Sequence, residues 1–223
     1  VVGASIGVAL FPSDENNIIR QADMALYRAK AAGRNTIQLF ATHMQHDADE
    51  RLDLEKGLRL ALERGELELY FQPQLDIGGR LIGAEALLRW QHPQRGMILP
   101  ARFIPIAEET GLIHPLGDFV LSAACDQLRA WQQVHKSRLT RLSINVSPWQ
   151  LAGNEFIDKV KGAGGRSGMD TSCLTLEITE SSFLNDIDGV AGKLRGLAEA
   201  GLELSIDDFG TGYSSLAYLK FLR

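Results

Sequence analysis

Cysteine is almost missing from this chain of 223 residues. Cys125 and Cys173 alone build neither a disulfide framework nor a cysteine-based zinc site, so a reducing compartment, the cytoplasm, is the expected setting. Basic charge is also short: 23 Lys and Arg stand against 28 Asp and Glu, a formal charge of −5. That balance excludes a protein that grips a nucleic-acid polymer through bulk positive charge, and an anionic ligand would need local help. No run approaches the roughly 20 apolar residues of a membrane-spanning helix, although a longer parent could carry an anchor elsewhere. What is present is 45% hydrophobic residues, enough to bury a core. The chain opens inside a strand pattern and stops inside a helix pattern, so targeting signals would have to be sought in a longer parent.

Residues 4–12 (ASIGVALFP) read as a short strand closed by Pro12, residues 16–33 as a helix ending at Gly33, and TIQLF (36–40) as a second strand. Residues 43–65 are charge-rich with recurring leucines and end at Gly65, a helical linker. Beyond it the pattern changes. LELYFQPQLD (67–76) and LIGAEALLRW (81–90) are strands whose connection is short enough to require an antiparallel pair. A short helix over 100–111 and a long one over 115–136 follow, the latter with Val120, Ala124, Leu128 and Trp131 on one face. Strands over 139–147, 173–181 and 202–210 then alternate with helices near 154–161, near 187–200 and after 210. Such alternation predicts a parallel sheet covered by helices. GAGGRSG (162–168) should cut its helix short into a mobile loop, at roughly 1 kcal/mol per glycine.

Side chains alternate faces along a strand, so phase can be read directly. One phase is apolar throughout: Ile82, Ala84, Ala86 and Leu88; Leu142, Ile144 and Val146; Leu174, Leu176 and Ile178; Leu202, Leu204 and Ile206. The other carries Glu85 and Arg89, Ser143 and Asn145, Glu177, and Asp207. Asn145, Glu177 and Asp207 recur at intervals of 32 (145 to 177) and 30 (177 to 207), about one strand-helix-strand unit apart. In a barrel the polar phase points inward, and three carboxylates and an amide converge at the carboxyl ends of the strands, where such barrels hold their active sites. A single acid in a strand is more often a solvated residue or an ion-pair partner. Four polar groups in phase, with Glu180 and Asp208 beside them, bring carboxylates together, and such like charges raise one another's pKa unless a cation sits among them. All-oxygen donors favour Mg²⁺, Mn²⁺ or Ca²⁺ over zinc, and the adjacent Asp207 and Asp208 suit a bridge between two metals.

GAEALLRW (83–90), FQP (71–73), INVS (144–147), LEITES (176–181) and DDFGTGYSSL (207–216) resemble, in order, the motifs of the EAL-domain family. These are phosphodiesterases that hydrolyse cyclic di-GMP to the linear dinucleotide pGpG in bacterial second-messenger signalling. The resemblance covers about residues 50–223. It implies an α/β fold, a (β/α)₈ TIM-like barrel whose first strand runs antiparallel. It implies two Mg²⁺ or Mn²⁺ ions held by Glu85, Asn145, Glu177, Asp207 and Asp208. Glu85, Asp207 and Asp208 would be catalytic, and Gln72, Leu87 and Arg89 would hold the substrate. A homodimer through these domains, with the DFGTG loop joining the site to the interface, is also implied.

ASIGVALFP and ADMALYRAKAAGRN resemble the end of a GGDEF (diguanylate cyclase) domain without its signature loop. The expected organisation is a GGDEF remnant over 1–42, a linker helix over 43–65 and an EAL domain over 66–223. The family's catalytic Lys and later acidic ligand would lie beyond Arg223, with roughly 170 barrel residues here against about 250 in a complete barrel. This piece alone would then hold one metal at most and turn over no substrate. Two further functions compete with the enzyme: a silent EAL domain that senses cyclic di-GMP, and a dimerising module that relays signals from an upstream sensor or GGDEF domain. The presence of every ligand named above favours the enzyme. His43 and His46, one helical turn apart, belong to a solvated face. Phe103 and Cys125 read as core, and Pro148-Trp149 as a helix start that covers the core.

Overall fold

The computed structural model describes residues 3–10, 17–135, 141–153, 155–167, 171–179 and 187–207. It divides into two compact units, residues 1–57 and 58–223. In the first, strands β1 (Ile6–Val8) and β2 (Ile37–Leu39) pair in parallel around helix α1 (Ile18–Ala31). Ala25 and Ala29 on α1 are fully buried. Gly7 on β1 has no room for a side chain, because a Cβ there would run into the backbone of Ala22 and Leu26. Helix α2 (Thr42–Arg64) follows, and the division between units falls within it. Ion pairs of Arg28 with Asp47 and of Arg20 with Asp49 tie its first turns to α1, while His43 and His46 are exposed.

The second unit is built on one sheet. Strands β3 (Leu67–Leu75) and β4 (Leu81–His92) are antiparallel, as the short connection requires. Asp76 organises that turn: its Oδ1 accepts the amides of Gly78 (2.8 Å) and Arg80 (2.9 Å), and its Oδ2 accepts Arg80 Nε at 2.8 Å. Gly79 completes it at φ 76°, where a side chain would be strained. Strand β5 (Gly96–Ile98), which the sequence pattern did not single out, folds back onto β4 with Ile98 opposite Trp90. Helices α3 (Pro100–Thr110) and α4 (Ile113–His135) follow, Phe103 packing edge-on against the fully buried Trp90. Then come β6 (Leu142–Val146), the short α5 (Pro148–Ala152), α6 (Phe156–Ser167), β7 (Leu174–Thr179), α7 (Ile187–Glu199) and β8 (Glu203–Asp207).

The sheet order is β3-β4-β6-β7-β8, with every neighbour from β4 onward parallel. It is an open arc of an α/β, TIM-like barrel whose first strand is antiparallel. The apolar phase faces the helices as the alternation predicts, with Ala84, Ala86, Leu142, Ile144, Val146, Leu174, Leu176 and Ile178 all buried, but Ile82 at the start of β4 is 43% exposed, before that strand pairs with β6 at Ala84. The buried eight pack in one cluster with Ala124, Cys125 and Leu128 of α4, Phe156 and Val160 of α6, and Leu194 and Leu197 of α7. Each large side chain buried there contributes roughly 1.5–3 kcal/mol. Among the described residues no helix is long and apolar enough to cross a membrane.

Two expectations fail. The glycine-rich segment does not end its helix, since α6 continues to Ser167. Phe156 and Val160 anchor its first turns in the core, and once a helix is nucleated each further residue adds a hydrogen bond that offsets part of glycine's cost. Pro148 does begin a helix, but Trp149 is 56% exposed and covers no core. The buried positions of that turn are Gln150 and Leu151, which sit one and two places later on the helix.

Candidate functional site

The parallel register decides which polar groups meet. Glu85 is level with Ser143, Asn145 with Glu177, and Thr179 with Asp207. Glu85 and Asn145 are therefore on adjacent strands with an offset of two residues, as are Glu177 and Asp207. With strands about 4.8 Å apart and a rise of about 3.3 Å per residue, each such pair has its Cα atoms roughly 8 Å apart, within side-chain reach. The offset follows the strand stagger of a barrel, so the four positions climb together around its wall. All lie in the last three residues of β6, β7 and β8, or beside them on β4, at the carboxyl end of the parallel strands.

The side chains make use of this placement. Asn145 Nδ2 donates to Glu85 Oε1 at 2.8 Å, which leaves the lone pairs of the amide oxygen and of the second carboxylate oxygen to face a cation. Glu177 is half-buried, and burial pushes its carboxyl above the usual carboxylate range. The negative charges of Glu85 and Asp207 push the same way, while hydrogen bonds from Ser143 and Gln74 pull it back. Ser143 is itself 3% exposed and Gln74 Nε2 reaches its hydroxyl at 3.5 Å. Gly83 makes that approach possible, because a Cβ there would lie 3.0 Å from Gln74 Oε1 and 3.1 Å from the Arg141 carbonyl.

Among the described residues no three His, Cys, Asp or Glu side chains form a group placed to hold a metal ion. The donor chemistry nonetheless suits a hard divalent cation. The donors are all oxygen, an amide already orients one carboxylate, and a second is desolvated beside two negative charges, the strain that a cation relieves. Glu180 and residues 208–216, including Asp208, lie outside the described residues, so the two-metal bridge rests on sequence alone.

The substrate-side residues are placed as follows. Gln72 is directly opposite Glu85 on β3 and is exposed. Leu87 and Arg89 continue the phase of Glu85 along β4. Arg89 makes no ion pair with a described acid; its Nη1 donates to the Leu88 carbonyl at 2.9 Å and its guanidinium is 5.8 Å from the Tyr70 ring centre. A cavity of about 910 Å³ reaches Asn145 and Thr179 at the strand ends, but most of its lining, with Leu116, Val120, Ile144 and Val146, belongs to the helix-facing side of the sheet. Sequence reasoning assigned no role to Ser143 and Gln74. Ser143 was legible as the residue two before Asn145 on the same phase, whereas Gln74 becomes visible only through the β3–β4 register.

A family model described as EAL domain matches residues 55–223. The chain is 45% identical over 225 residues to the bifunctional diguanylate cyclase/cyclic di-GMP phosphodiesterase MucR of Pseudomonas aeruginosa, covering 99% of this chain and 33% of that protein. It is 41% identical over 226 residues to the cyclic di-GMP phosphodiesterase NbdA of the same organism, covering 100% of this chain and 29% of NbdA. Among solved structures, the PaMucR phosphodiesterase in complex with c-di-GMP superposes with a TM-score of 0.73 at 46% identity, over 76% of this chain and 69% of that one. The chain spans about a third of the length of these curated relatives. With the family match over most of its length and relatives at more than 40% identity, the chain belongs to the EAL domain family.

Proposed function

We propose that the full-length protein hydrolyses one phosphodiester of cyclic di-GMP, giving linear pGpG, with Mg²⁺ or Mn²⁺ as cofactor. The observation that carries this reading is the Asn145–Glu85 hydrogen bond beside the desolvated Glu177, at strand ends of an EAL domain. MucR and NbdA bear names for the same activity, which supports it. Glu85, Asn145, Glu177 and Asp207 would hold one ion, and Asp207 and Asp208 would share a second. When bound, such ions supply Lewis-acid activation of water and neutralise the charge of an in-line phosphoryl displacement. The chain's own residues do the rest. Asn145 fixes the Glu85 carboxylate, Ser143 and Gln74 fix Glu177, and Leu87 and Gln72 flank the substrate. Arg89 would meet a phosphate with its planar fork, and without a competing ion pair among the described acids that fork is available.

Residues 1–42 would be the last part of a GGDEF domain and 43–65 the helix joining it to the EAL domain, in a cytoplasmic signalling protein that acts as a homodimer. Incubating the full-length protein with cyclic di-GMP and Mn²⁺ and resolving the nucleotides by chromatography tests the activity. Linear dinucleotide is the expected product, and none with either metal at any protein concentration would refute it.

A further inference from the structure

Two residues beyond Asn145 the chain leaves β6 through a tightly bonded turn. The Ser147 amide donates to Gln150 Oε1 at 3.0 Å, and Ser147 Oγ accepts the Trp149 amide at 3.2 Å, a reciprocal capping box that closes the N-terminal turn of α5. The same hydroxyl donates to Glu108 Oε1 on α3 at 2.6 Å, a short charge-assisted bond across 39 residues of sequence. Gln150 is 7% exposed and sits where Gly117 of α4 leaves space for it. The end of β6 is therefore clamped from two helices at once, and the clamp acts on the strand that presents Asn145 to Glu85.

We propose that Glu108 is a positioning residue for the metal cup: through Ser147 it holds the end of β6 so that Asn145 meets Glu85. This rests on the reading of Glu85 and Asn145 as ligands. A helix cap alone needs only Ser147 and Gln150, and the short bond to a carboxylate on another helix adds a tether the cap does not require. Outer-sphere groups that orient ligands change metal affinity by roughly 10- to 100-fold when removed. Glu108 acts one residue further out, so the low end of that range, about tenfold, is expected for Glu108→Ala.

Mn²⁺ binding to the full-length protein, followed by the electron paramagnetic resonance signal of free Mn²⁺, tests this without reference to turnover. Glu108→Ala should weaken Mn²⁺ binding about tenfold, and Ser147→Ala, which keeps the charge and deletes one oxygen, should weaken it comparably. Glu108→Gln should bind within about twofold of the unsubstituted protein, because its amide oxygen still accepts the hydroxyl. Affinity that falls equally in Glu108→Gln and Glu108→Ala would overturn the proposal in favour of a long-range charge effect. Unchanged affinity in Ser147→Ala would overturn it as well, and this variant serves if Glu108→Ala fails to fold. If the unsubstituted protein binds no Mn²⁺, the ligand reading itself fails and the positioning role with it.

Discussion

Gly117 sits in the interior of α4, where replacing glycine by alanine ordinarily favours a helix by roughly 0.8–1 kcal/mol. The structure reverses that sign. A Cβ at Gly117 would lie 2.9 Å from Gln150 Cδ and closer still to its Nε2. Gln150 cannot swing aside freely, because it is buried and its Oε1 holds the Ser147 amide. Breaking that bond inside the protein costs about 1–3 kcal/mol, and forcing extra volume into a packed site adds about 1–3 kcal/mol. Against the helix gain, Gly117→Ala should destabilise the EAL unit by about 3 kcal/mol, within a range of roughly 1–5. At roughly 2–4 °C per kcal/mol for a unit of this size, the melting transition should fall by roughly 6–12 °C in calorimetry. Truncating the neighbour removes the clash, so in a Gln150→Ala background the same substitution should stabilise by about 1 kcal/mol. A Gly117→Ala protein as stable as its parent would refute the close-approach argument.

Arg89→Ala should raise KM for cyclic di-GMP roughly 10- to 100-fold, the equivalent of one lost charge-assisted bond of about 1.5–3 kcal/mol, with a smaller change in kcat; steady-state kinetics reads the split. Asp76 is held below the usual carboxylate range by the Arg80 amide and guanidinium and by the Gly78 amide. Its folded pKa being the lower one, its support for the β3–β4 turn is full above the ordinary carboxylate pKa and is lost as pH falls through the lowered value. The protection factors of the Gly78 and Arg80 amides, exchange measured against the intrinsic rate at each pH, should fall over that acid range, and in Asp76→Ala they should be low throughout. Leu176→Ala, at a fully buried position on the interior strand β7, should cost about 2–5 kcal/mol, read from the urea midpoint at unchanged slope.

Much of the site was legible before any coordinates because a strand repeats every two residues. Once Leu142, Ile144 and Val146 are assigned to the core, Ser143 and Asn145 must face the other way, and the same holds for Glu177 between Leu176 and Ile178. The Ile77–Arg80 connection likewise leaves antiparallel pairing as the sole geometry, as observed. Register is different. That Asn145 is level with Glu177 while Asp207 stands level with Thr179 follows from barrel stagger, which no local pattern encodes. The contact of Glu108 with Ser147 and of Gly117 with Gln150 depends on how α3 and α4 cross the sheet, so residues 39 and 33 positions apart in sequence carry no shared signal. Trp149 departs from the expected core cover because its place on a five-residue helix turns it outward and leaves Gln150 and Leu151 as the buried positions. Glycine propensity alone does not set the end of α6, because the packing of Phe156 and Val160 nucleates the helix that runs on to Ser167.

The metal cup stands or falls with Glu85. Chromatography of cyclic di-GMP incubated with Mn²⁺ and either the full-length protein or its Glu85→Ala variant, both confirmed as folded, puts the assignment to the test. Linear dinucleotide from the parent and none from Glu85→Ala is the expected result. Normal turnover by Glu85→Ala would contradict the placement of the reaction at Glu85, Asn145, Glu177 and Asp207.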